Sequence, residues 1–484
     1  MLWLLLRLPI NMLFNSLTFL VFFAIILGLH SLPLNWQIKK SNLLIASYLF
    51  YAAWNPPFVL LLWISTVVDW LVAGKMAATT HQKKKTFLLV ISLVVNLGLL
   101  SYFKYATFVL DNFVFFINQL GFVYHPALPS IILPVGISFY TFQTLSYTID
   151  VYRGEKPCDS FLDFALFVTF FPQLVAGPIV RSSYFLPQCK TPKQATEQQL
   201  SWGLSLLIIG LFQKTILADS FLAPVVEQVF NNAMQTTALD NWLGTFAFSA
   251  QIFFDFAGYS TSAIGAALCF GFVLPDNFRA PYAAVGFSDF WRRWHISLST
   301  WLRDYLYIAL GGNRNGTLQT YRNLFLTMLL GGLWHGAAWG FIVWGFLHGF
   351  YLIIERLLRP YFENIKELHL PIAQFSLALI TYFLVCIAWV FFRANDVFTA
   401  FTMLKVMFLL EHAPNETILL AFSPFMVIII VAGLFLFQWF NRENYFEQVV
   451  QKLPANIWAV FLAILVLWLL LAPGDQRAFI YFQF

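Results

Sequence analysis

Long apolar segments separated by short polar loops run through most of the sequence. Within them apolar and polar residues do not alternate, which favours helices over strands. Many segments approach the ~20 apolar residues that a helix needs to cross a bilayer. Backbone amides find no partner in lipid, and a helix pairs them internally. The pattern therefore predicts an all-α, polytopic membrane protein with about 11–12 transmembrane helices.

Lysine and arginine in the short loops predict the orientation of these helices. Loops rich in these residues stay in the cytoplasm. The loops that contain Lys39–Lys40 and Lys83–Lys85 are therefore expected inside, and the N-terminus outside. Counting spans onward places the C-terminal tail, residues 473–484, on the extracytoplasmic side. We predict one transmembrane domain, residues 1–472, followed by this tail.

Two segments differ from the pattern of spanning helices. Residues 167–181 are apolar but contain two prolines and a glycine, which favours a re-entrant segment buried in protein. Residues 277–322 carry six arginines interleaved with tryptophans, so interfacial helices on the cytoplasmic side are expected. Together the segments predict re-entrant and interfacial helices, with the spanning helices, around a central cavity.

Composition supports the membrane assignment and excludes other classes. The chain is 60% hydrophobic and 11% charged, whereas soluble domains are nearer a quarter charged. The bilayer is thus its first expected partner. The net charge of +5 is small and lies in loops, so no nucleic-acid partner is expected. The four cysteines show no C-x-x-C spacing, and neither a metal site nor a disulfide framework is predicted.

The stretch GGLWHGAAWGFIVWGFLHGF, residues 331–350, places two histidines in an apolar environment. Ionisable groups at membrane depth are costly and usually mark a pathway or a reaction site. An imidazole titrates near neutrality and suits a general base. We predict His335 as the catalytic base, a packing histidine being the alternative, and His348 as structural. Gly331–Gly332 is predicted to break the helix before His335, and Trp334 to line the cavity.

Two further segments carry candidate residues. In QIFFDFAGYS, the spacing of Gln251, Asp255 and Tyr259 puts them on one helix face. Gln251 and Asp255 are predicted to line the cavity, although a buried hydrogen-bond anchor is an equal alternative for Asp255.

In DFWRRWHISLSTWLRDY, His295 is either part of the site or an interfacial residue among tryptophans. The adjacent Arg292 and Arg293 suit the phosphates of a soluble donor. Lipid headgroups are the alternative ligand for both.

The chain ends in FIYFQF. Phe479, Tyr481 and Phe484 suit anchoring in the outer interface. A short aromatic tail can also fold back into the mouth of a cavity. Tyr481 would then present a phenol, which is a competent acyl acceptor once a base removes its proton.

The motifs WRRWHISLSTWLRDYLYIALGGNRNG and LFLTMLLGGLWHGAAW closely resemble membrane-bound O-acyltransferases. Within that superfamily, the chain looks like the bacterial alginate and peptidoglycan O-acetyltransferase branch. PVGISFYTFQTLSYTIDVYRG, LVAGPIVR, QIFFDFAGYS and NFRAPY add support, and the resemblance spans residues 42–392. The chain departs from the family pattern once: relatives often read D-F-S-G-Y-S-D, and here Ala257 and Thr261 replace the serine and the last acidic residue.

The resemblance implies transfer of an acetyl group across a bacterial inner membrane. His335 and His295 match the two family histidines, in L-W-H-G and W-R-R-W-H. The implied donor is a cytoplasmic acetyl thioester, expected to be acetyl-CoA, with no bound cofactor. The implied partner is a periplasmic serine-esterase-like transferase that acylates a polysaccharide.

Phe479, Tyr481 and Phe484 match an F-x-Y-x-x-F motif proposed as an acyl-tyrosine carrier in related systems. A D-alanyl transferase of the same superfamily and a non-catalytic transporter, which also uses broken helices, are the alternatives.

Overall fold

The computed structural model describes residues 12, 14–124, 126–127, 131–175, 177–362, 365–411, 416–472 and 477–480. All regular structure in these ranges is helical. The α-helices are α1 (Leu17–Ser31), α2 (Trp36–Ala52), α3 (Phe58–Ala77), α4 (Gln82–Leu100), α5 (Ala106–Gln119), α6 (Ile137–Tyr152), α7 (Phe161–Thr169), α8 (Phe171–Leu174), α9 (Ser182–Cys189), α10 (Glu197–Phe212), α11 (Ala223–Asn231), α12 (Ala238–Cys269), α13 (Phe287–Arg293), α14 (Ile296–Trp301), α15 (Thr317–His335), α16 (Trp339–Phe362), α17 (Pro371–Arg393), α18 (Val397–Met407), α19 (Ser423–Phe440), α20 (Phe446–Val450) and α21 (Ala455–Leu471).

Shorter helical turns complete these elements. The π-helical stretches are Ser101–Tyr105, Gln213–Leu222 and Leu302–Tyr307, and the 3₁₀ turns are Ala233–Gln235, Pro281–Ala283 and Lys366–His369. The first two π-helical stretches join α4 to α5 and α10 to α11, so each pair forms one long segment.

Seven helical segments in the described residues are long and apolar enough to cross a membrane: α3, α4–α5, α10–α11, α12, α16, α17 and α19. Three shorter apolar helices, α1, α18 and α21, accompany them. The protein is therefore an all-α, multi-pass membrane protein. Fewer segments qualify than the sequence predicted, because α2 and α6 are short and α15 is too polar for its length.

The chain forms two compact units. The first comprises Met1–Leu207 with Ser262–Pro275, and the second comprises Ile208–Thr261 with Asp276–Phe482. In the first unit, Asp69 of α3 accepts hydrogen bonds from Ser92 (2.5 Å) and Asn96 (2.9 Å) of α4. These bonds supply the partners that a buried carboxylate requires.

The predicted interruption in residues 167–181 is present in the first unit. Helix α7 ends at Thr169, and α8 lasts for one turn. The described residues between α8 and Ser182, 175 and 177–181, belong to no helix. Nearly all described residues of this segment are buried. Burial in protein is what non-helical backbone requires at membrane depth.

In the second unit, α15 and α16 pack against each other through glycines. A Cβ atom at Gly345 would lie 2.5 Å from the carbonyl oxygen of Met328 and 3.2 Å from Cα of Gly332. The predicted helix break at Gly331–Gly332 is therefore wrong, since α15 continues through both residues to His335. The two glycines allow a close approach of helices, which is a common use of small residues in membrane bundles.

Candidate functional site

His335 is the last residue of α15, and its side chain is buried. Aromatic rings surround it, with centroid separations of 4.9 Å to Trp344, 5.1 Å to Trp334 and 5.5 Å to Phe392. Trp344 is adjacent to Gly345, where α16 packs closely on α15. The local fold thus holds the imidazole in a shielded, largely apolar pocket, where proton transfer is not diverted to bulk water.

His295 joins α13 to α14 in a strained backbone conformation. Its φ is +41°, a left-handed value that costs a residue with a Cβ atom of order 1–3 kcal/mol. Asn277 fixes the next two residues: its carbonyl accepts from the amide of Ile296 (2.9 Å), and its side chain accepts from the hydroxyl of Ser297 (2.7 Å). The surrounding fold therefore imposes the position of His295.

The two histidines lie side by side. Their ring centroids are 6.5 Å apart, and the Trp334 ring lies 6.1 Å from that of His295. His295 is outside the spanning helices, and burial lowers the pKa of its imidazole to about 3. An imidazole with so low a pKa is a weak proton acceptor, which favours an orienting role for His295 over that of the base. Two imidazoles at this separation can act on one substrate group placed between them.

His348 occupies a separate aromatic cluster on α16. Its ring is fully buried, 4.6 Å from Trp344 and 5.1 Å from Trp291. Within the described chain, neither of its ring nitrogens has a hydrogen-bond partner. The structure places His348 one helical turn beyond Trp344, which separates it from His335.

The two arginines predicted to bind the donor differ in environment. Arg292 is exposed, and Arg293 is buried. The Arg293 guanidinium donates to Asp289 (2.9 Å), to the carbonyl of Arg442 (2.7 Å) and to Glu443 (3.3 Å). Because these bonds engage the Arg293 guanidinium within the protein, Arg292 is the one of the two arginines that is left to bind the phosphates of an acyl donor.

The predicted polar face of α12 has partners that the sequence did not suggest. Asp255 forms a buried ion pair with Lys214, which also pairs with Asp219 at 2.8 Å. Lys214 and Asp219 lie in the π-helical stretch between α10 and α11. Of the two alternatives predicted for Asp255, its contacts are those of a buried hydrogen-bond anchor. The available signal was a lysine and an aspartate inside an otherwise apolar spanning segment.

The C-terminal tail folds back onto α12. Phe479 is fully buried, and its ring lies 4.8 Å from Tyr259 and 5.4 Å from Phe256. The Phe256 ring is in turn 4.5 Å from His295. The sequence left two alternatives for the tail, anchoring in the outer interface or folding back onto the protein. The buried position of Phe479 corresponds to folding back.

Two of the three motif aromatics of the tail, Tyr481 and Phe484, lie outside the described residues. The described part of the tail that comes next to α12 is Arg477–Ile480, immediately before Tyr481 in the sequence. Asp255 accepts a hydrogen bond from the amide of Ile480 at 2.9 Å. The tail therefore contacts the same helix face that carries the polar residues predicted for the site.

Comparisons with known proteins identify relatives of the chain. The chain is 44% identical over 401 residues to "Probable alginate O-acetylase AlgI" of Pseudomonas aeruginosa, which covers 82% of this chain and 75% of the relative. It is 39% identical over 400 residues to "Peptidoglycan O-acetyltransferase" of Helicobacter pylori, covering 77% and 74%. It is 28% identical over 280 residues to "Teichoic acid D-alanyltransferase" of Bacillus subtilis, covering 54% and 69%.

A protein-family model points the same way. The model described as "MBOAT, membrane-bound O-acyltransferase family" matches residues 159–401, which include His295 and His335. This match and the identities above show the same family independently of the site geometry. The chain therefore belongs to the membrane-bound O-acyltransferase family.

Proposed function

We propose that the chain is an O-acetyltransferase of a bacterial inner membrane, which passes acetyl groups from a cytoplasmic thioester toward an extracytoplasmic polysaccharide. Two relatives that match most of the chain are named for O-acetylation of alginate and of peptidoglycan. The observation that carries the proposal is the buried pair His295 and His335, with the tail packed beside it through Phe256. A base, an orienting group and a potential acceptor segment thus come together.

The chemistry follows from these groups. His335 takes the proton of the Tyr481 hydroxyl, and the phenolate oxygen attacks the thioester carbonyl carbon. The carbon–sulfur bond breaks, and the leaving thiolate takes the proton that His335 removed from the hydroxyl, so that the products are an acetyl-tyrosine ester, a free thiol and a neutral His335. His295 orients the reacting groups.

The donor and the final acceptor complete the proposed sequence. The donor is acetyl-CoA, and the exposed Arg292 binds its phosphates from the cytoplasmic side. A periplasmic serine-esterase-like transferase then takes the acetyl group from Tyr481. Its serine attacks the aryl ester, the phenol is regenerated, and the acetyl group passes to a polysaccharide hydroxyl.

D-alanyl transfer is the competing acyl chemistry within the family. The relative named for it is less similar and covers less of this chain than the two named for O-acetylation. Donor identity separates the two possibilities, because the adduct on the tail would be acetyl in one case and alanyl in the other.

The test uses the full chain in its native membrane with its polysaccharide acetylation system. His335→Ala is expected to lower glycan acetylation by about 10²–10⁴-fold, at unchanged protein level. His348→Phe is the matched control, since it changes a second buried histidine of the same unit and is expected to retain acetylation. Mass spectrometry of the C-terminal peptide is expected to find an acetyl ester on Tyr481.

Two results would contradict the proposal. Normal acetylation by His335→Ala would reject the base, and normal acetylation by Tyr481→Phe would reject the carrier. The second substitution keeps the aromatic ring and removes only the hydroxyl, so its effect isolates the acceptor oxygen.

A further inference from the structure

Three buried ionisable residues of the second unit form a compact cluster that the proposed chemistry does not use. Lys214 lies between Asp219 and Asp255, and each of the three is at most 3% exposed. With all three ionised, the cluster carries one uncompensated negative charge. One oxygen of Asp219 has no hydrogen-bond partner in the described part of the chain. Buried charge in excess of its partners is costly unless further donors reach it. We call this cluster the polar socket.

Close packing of two helical segments assembles the polar socket. A Cβ atom at Gly258 of α12 would lie 2.7 Å from the carbonyl oxygen of Gly210 and 2.9 Å from the amide nitrogen of Lys214. The absence of a side chain at Gly258 therefore lets α12 approach the segment that carries Lys214. The widened π-helical stretch Gln213–Leu222 presents Lys214 and Asp219 together. Such stretches in membrane and soluble proteins are frequent at functional sites.

The tail supplies one further donor to the cluster, at Asp255 and not at Asp219. The two oxygens of Asp255 have different partners. Oδ1 pairs with Lys214, and Oδ2 accepts a hydrogen bond from the backbone amide of Ile480 at 2.9 Å. Lys214 also approaches the carbonyl oxygen of Ala478 at 3.5 Å. At the start of the described part of the tail, Arg477 forms an ion pair with Glu227. Phe479 fills the apolar space between Tyr259 and Phe256.

We propose that the polar socket is the docking site of the chain's own C-terminal segment, Arg477–Ile480, and that it positions the acyl acceptor for transfer. Lys214, Asp219 and Asp255 are then positioning residues. The inference rests on the proposed function for the acceptor, whereas docking itself rests on the contacts above. The contacts use two backbone groups, the Phe479 ring and the Arg477 guanidinium, so they specify a short peptide with a basic and an aromatic side chain. They place the segment that precedes Tyr481 against Phe256, whose ring also contacts that of His295.

Docking is tested first, without chemistry. A photoreactive benzophenone amino acid replaces Phe479 in the full chain that carries His335→Ala, so that no acyl transfer takes place. Irradiation is expected to cross-link the tail to the part of α12 that contains Phe256 and Tyr259. Asp255→Asn leaves a single acceptor oxygen for two donors, and the cross-link yield is expected to fall about tenfold or more.

Two controls keep this test specific. Asp240→Asn makes the same change in another buried carboxylate of α12, which bonds to Thr237 and Thr417 instead of the tail, and it is expected to retain the cross-link. Ile480→Pro removes the donor from the tail side and leaves the polar socket intact, whereas Ile480→Val keeps the amide. Cross-linking that persists in both Asp255→Asn and Ile480→Pro overturns the inference, and so does an equal loss in Asp240→Asn.

The positioning role is tested next in the active chain. Because the acceptor is tethered, a loss of docking is expected to lower kcat for acetyl-ester formation on the tail about tenfold or more and to leave KM for the thioester unchanged. A merely structural defect would lower the amount of folded protein, and the protein that still folds would keep its kcat and its KM. Undiminished kcat in an undocked Ile480→Pro chain rejects positioning.

The same experiments separate the inference from the proposed function. Tyr481→Phe is expected to keep the cross-link and to lose the acetyl ester. If that variant still acetylates the glycan normally, the carrier step fails while docking remains demonstrated. If docking fails and Tyr481→Phe is inactive, the carrier role of Tyr481 is supported and the docking role of the polar socket is rejected.

Discussion

Replacing Gly345 by alanine tests whether the contact of α15 with α16 sets the geometry around His335. The added Cβ atom would lie 2.5 Å from the carbonyl oxygen of Met328 and 3.2 Å from Cα of Gly332. Both neighbours are backbone atoms on the opposite helix and cannot rotate away. The helices therefore have to separate by about 1 Å to restore an ordinary van der Waals distance.

The expected cost follows from this separation. Overpacking of a well-packed interface typically costs about 1–3 kcal/mol, while alanine gains up to about 1 kcal/mol over glycine in helix propensity. Gly331→Ala is the matched control, because its Cβ atom would meet only the end of the Leu302 side chain, at 3.1 Å. Both variants share the propensity gain, so Gly345→Ala is expected to be about 1–3 kcal/mol less stable than Gly331→Ala.

Activity is expected to fall as well. Trp344 precedes Gly345, and its ring lies 4.9 Å from His335. A shift of about 1 Å near a reacting group can cost about 10²-fold in rate. The assay compares thermal inactivation of both variants in lipid nanodiscs and their acetyl transfer at a temperature where both remain folded. Equal stability and equal rates in the two variants would refute the argument that the close approach of α15 and α16 sets the site.

Three further predictions concern other described residues. Arg292→Ala is expected to raise KM for the thioester about tenfold without loss of folded protein, whereas Arg293→Ala is expected to lower the yield of folded protein by breaking its buried bonds; the opposite pattern in kinetics and yield would exchange their roles. His295→Asn, in which asparagine tolerates the left-handed backbone, is expected to lower transfer about 10²-fold at an unchanged unfolding temperature, and normal rates would contradict its part in the site. Lys40→Met is expected to cost about 3–5 kcal/mol, because it strands the buried Asp163 carboxylate, and Asp163→Leu in the same chain is expected to restore much of the thermal stability; no recovery would reject the ion-pair explanation.

The sequence predicted features that depend on local pattern. Uninterrupted apolar segments predicted the helices, and the apolar residues around His335 predicted a buried imidazole. The role of His335 as the base stays a prediction. Prolines and a glycine predicted the broken helix of residues 167–181. In each case one short stretch of sequence contains the physical reason.

Features that depend on distant partners were not predicted. Lys214 and Asp255 are 41 positions apart, and only the packing at Gly258 shows that they meet. Arg293 looked available for binding the thioester donor, since two of its three partners, Arg442 and Glu443, are 149 and 150 positions away. A pair of glycines is likewise compatible with a helix break or with a close contact between helices. Which of the two occurs depends on the neighbouring helix, which the local sequence does not show. That is why the predicted break at Gly331–Gly332 failed.

The contacts of the tail constrain how the acetyl group would leave the protein. The polar socket holds residues 477–480 through a backbone amide and a backbone carbonyl, and the Phe479 ring and the Arg477–Glu227 ion pair hold them beside it. Acetylation of the following tyrosine alters none of these groups, so free and acetylated tails are expected to dock equally well. An interaction that is the same before and after the reaction cannot drive release of the product. The second transfer must therefore take place on the docked tail, or undocking must precede it at a rate that is independent of the acetyl group. Cross-linking yields at position 479 that are equal with and without the thioester donor would agree with this constraint, and a fall on addition of donor would show that acetylation is coupled to release.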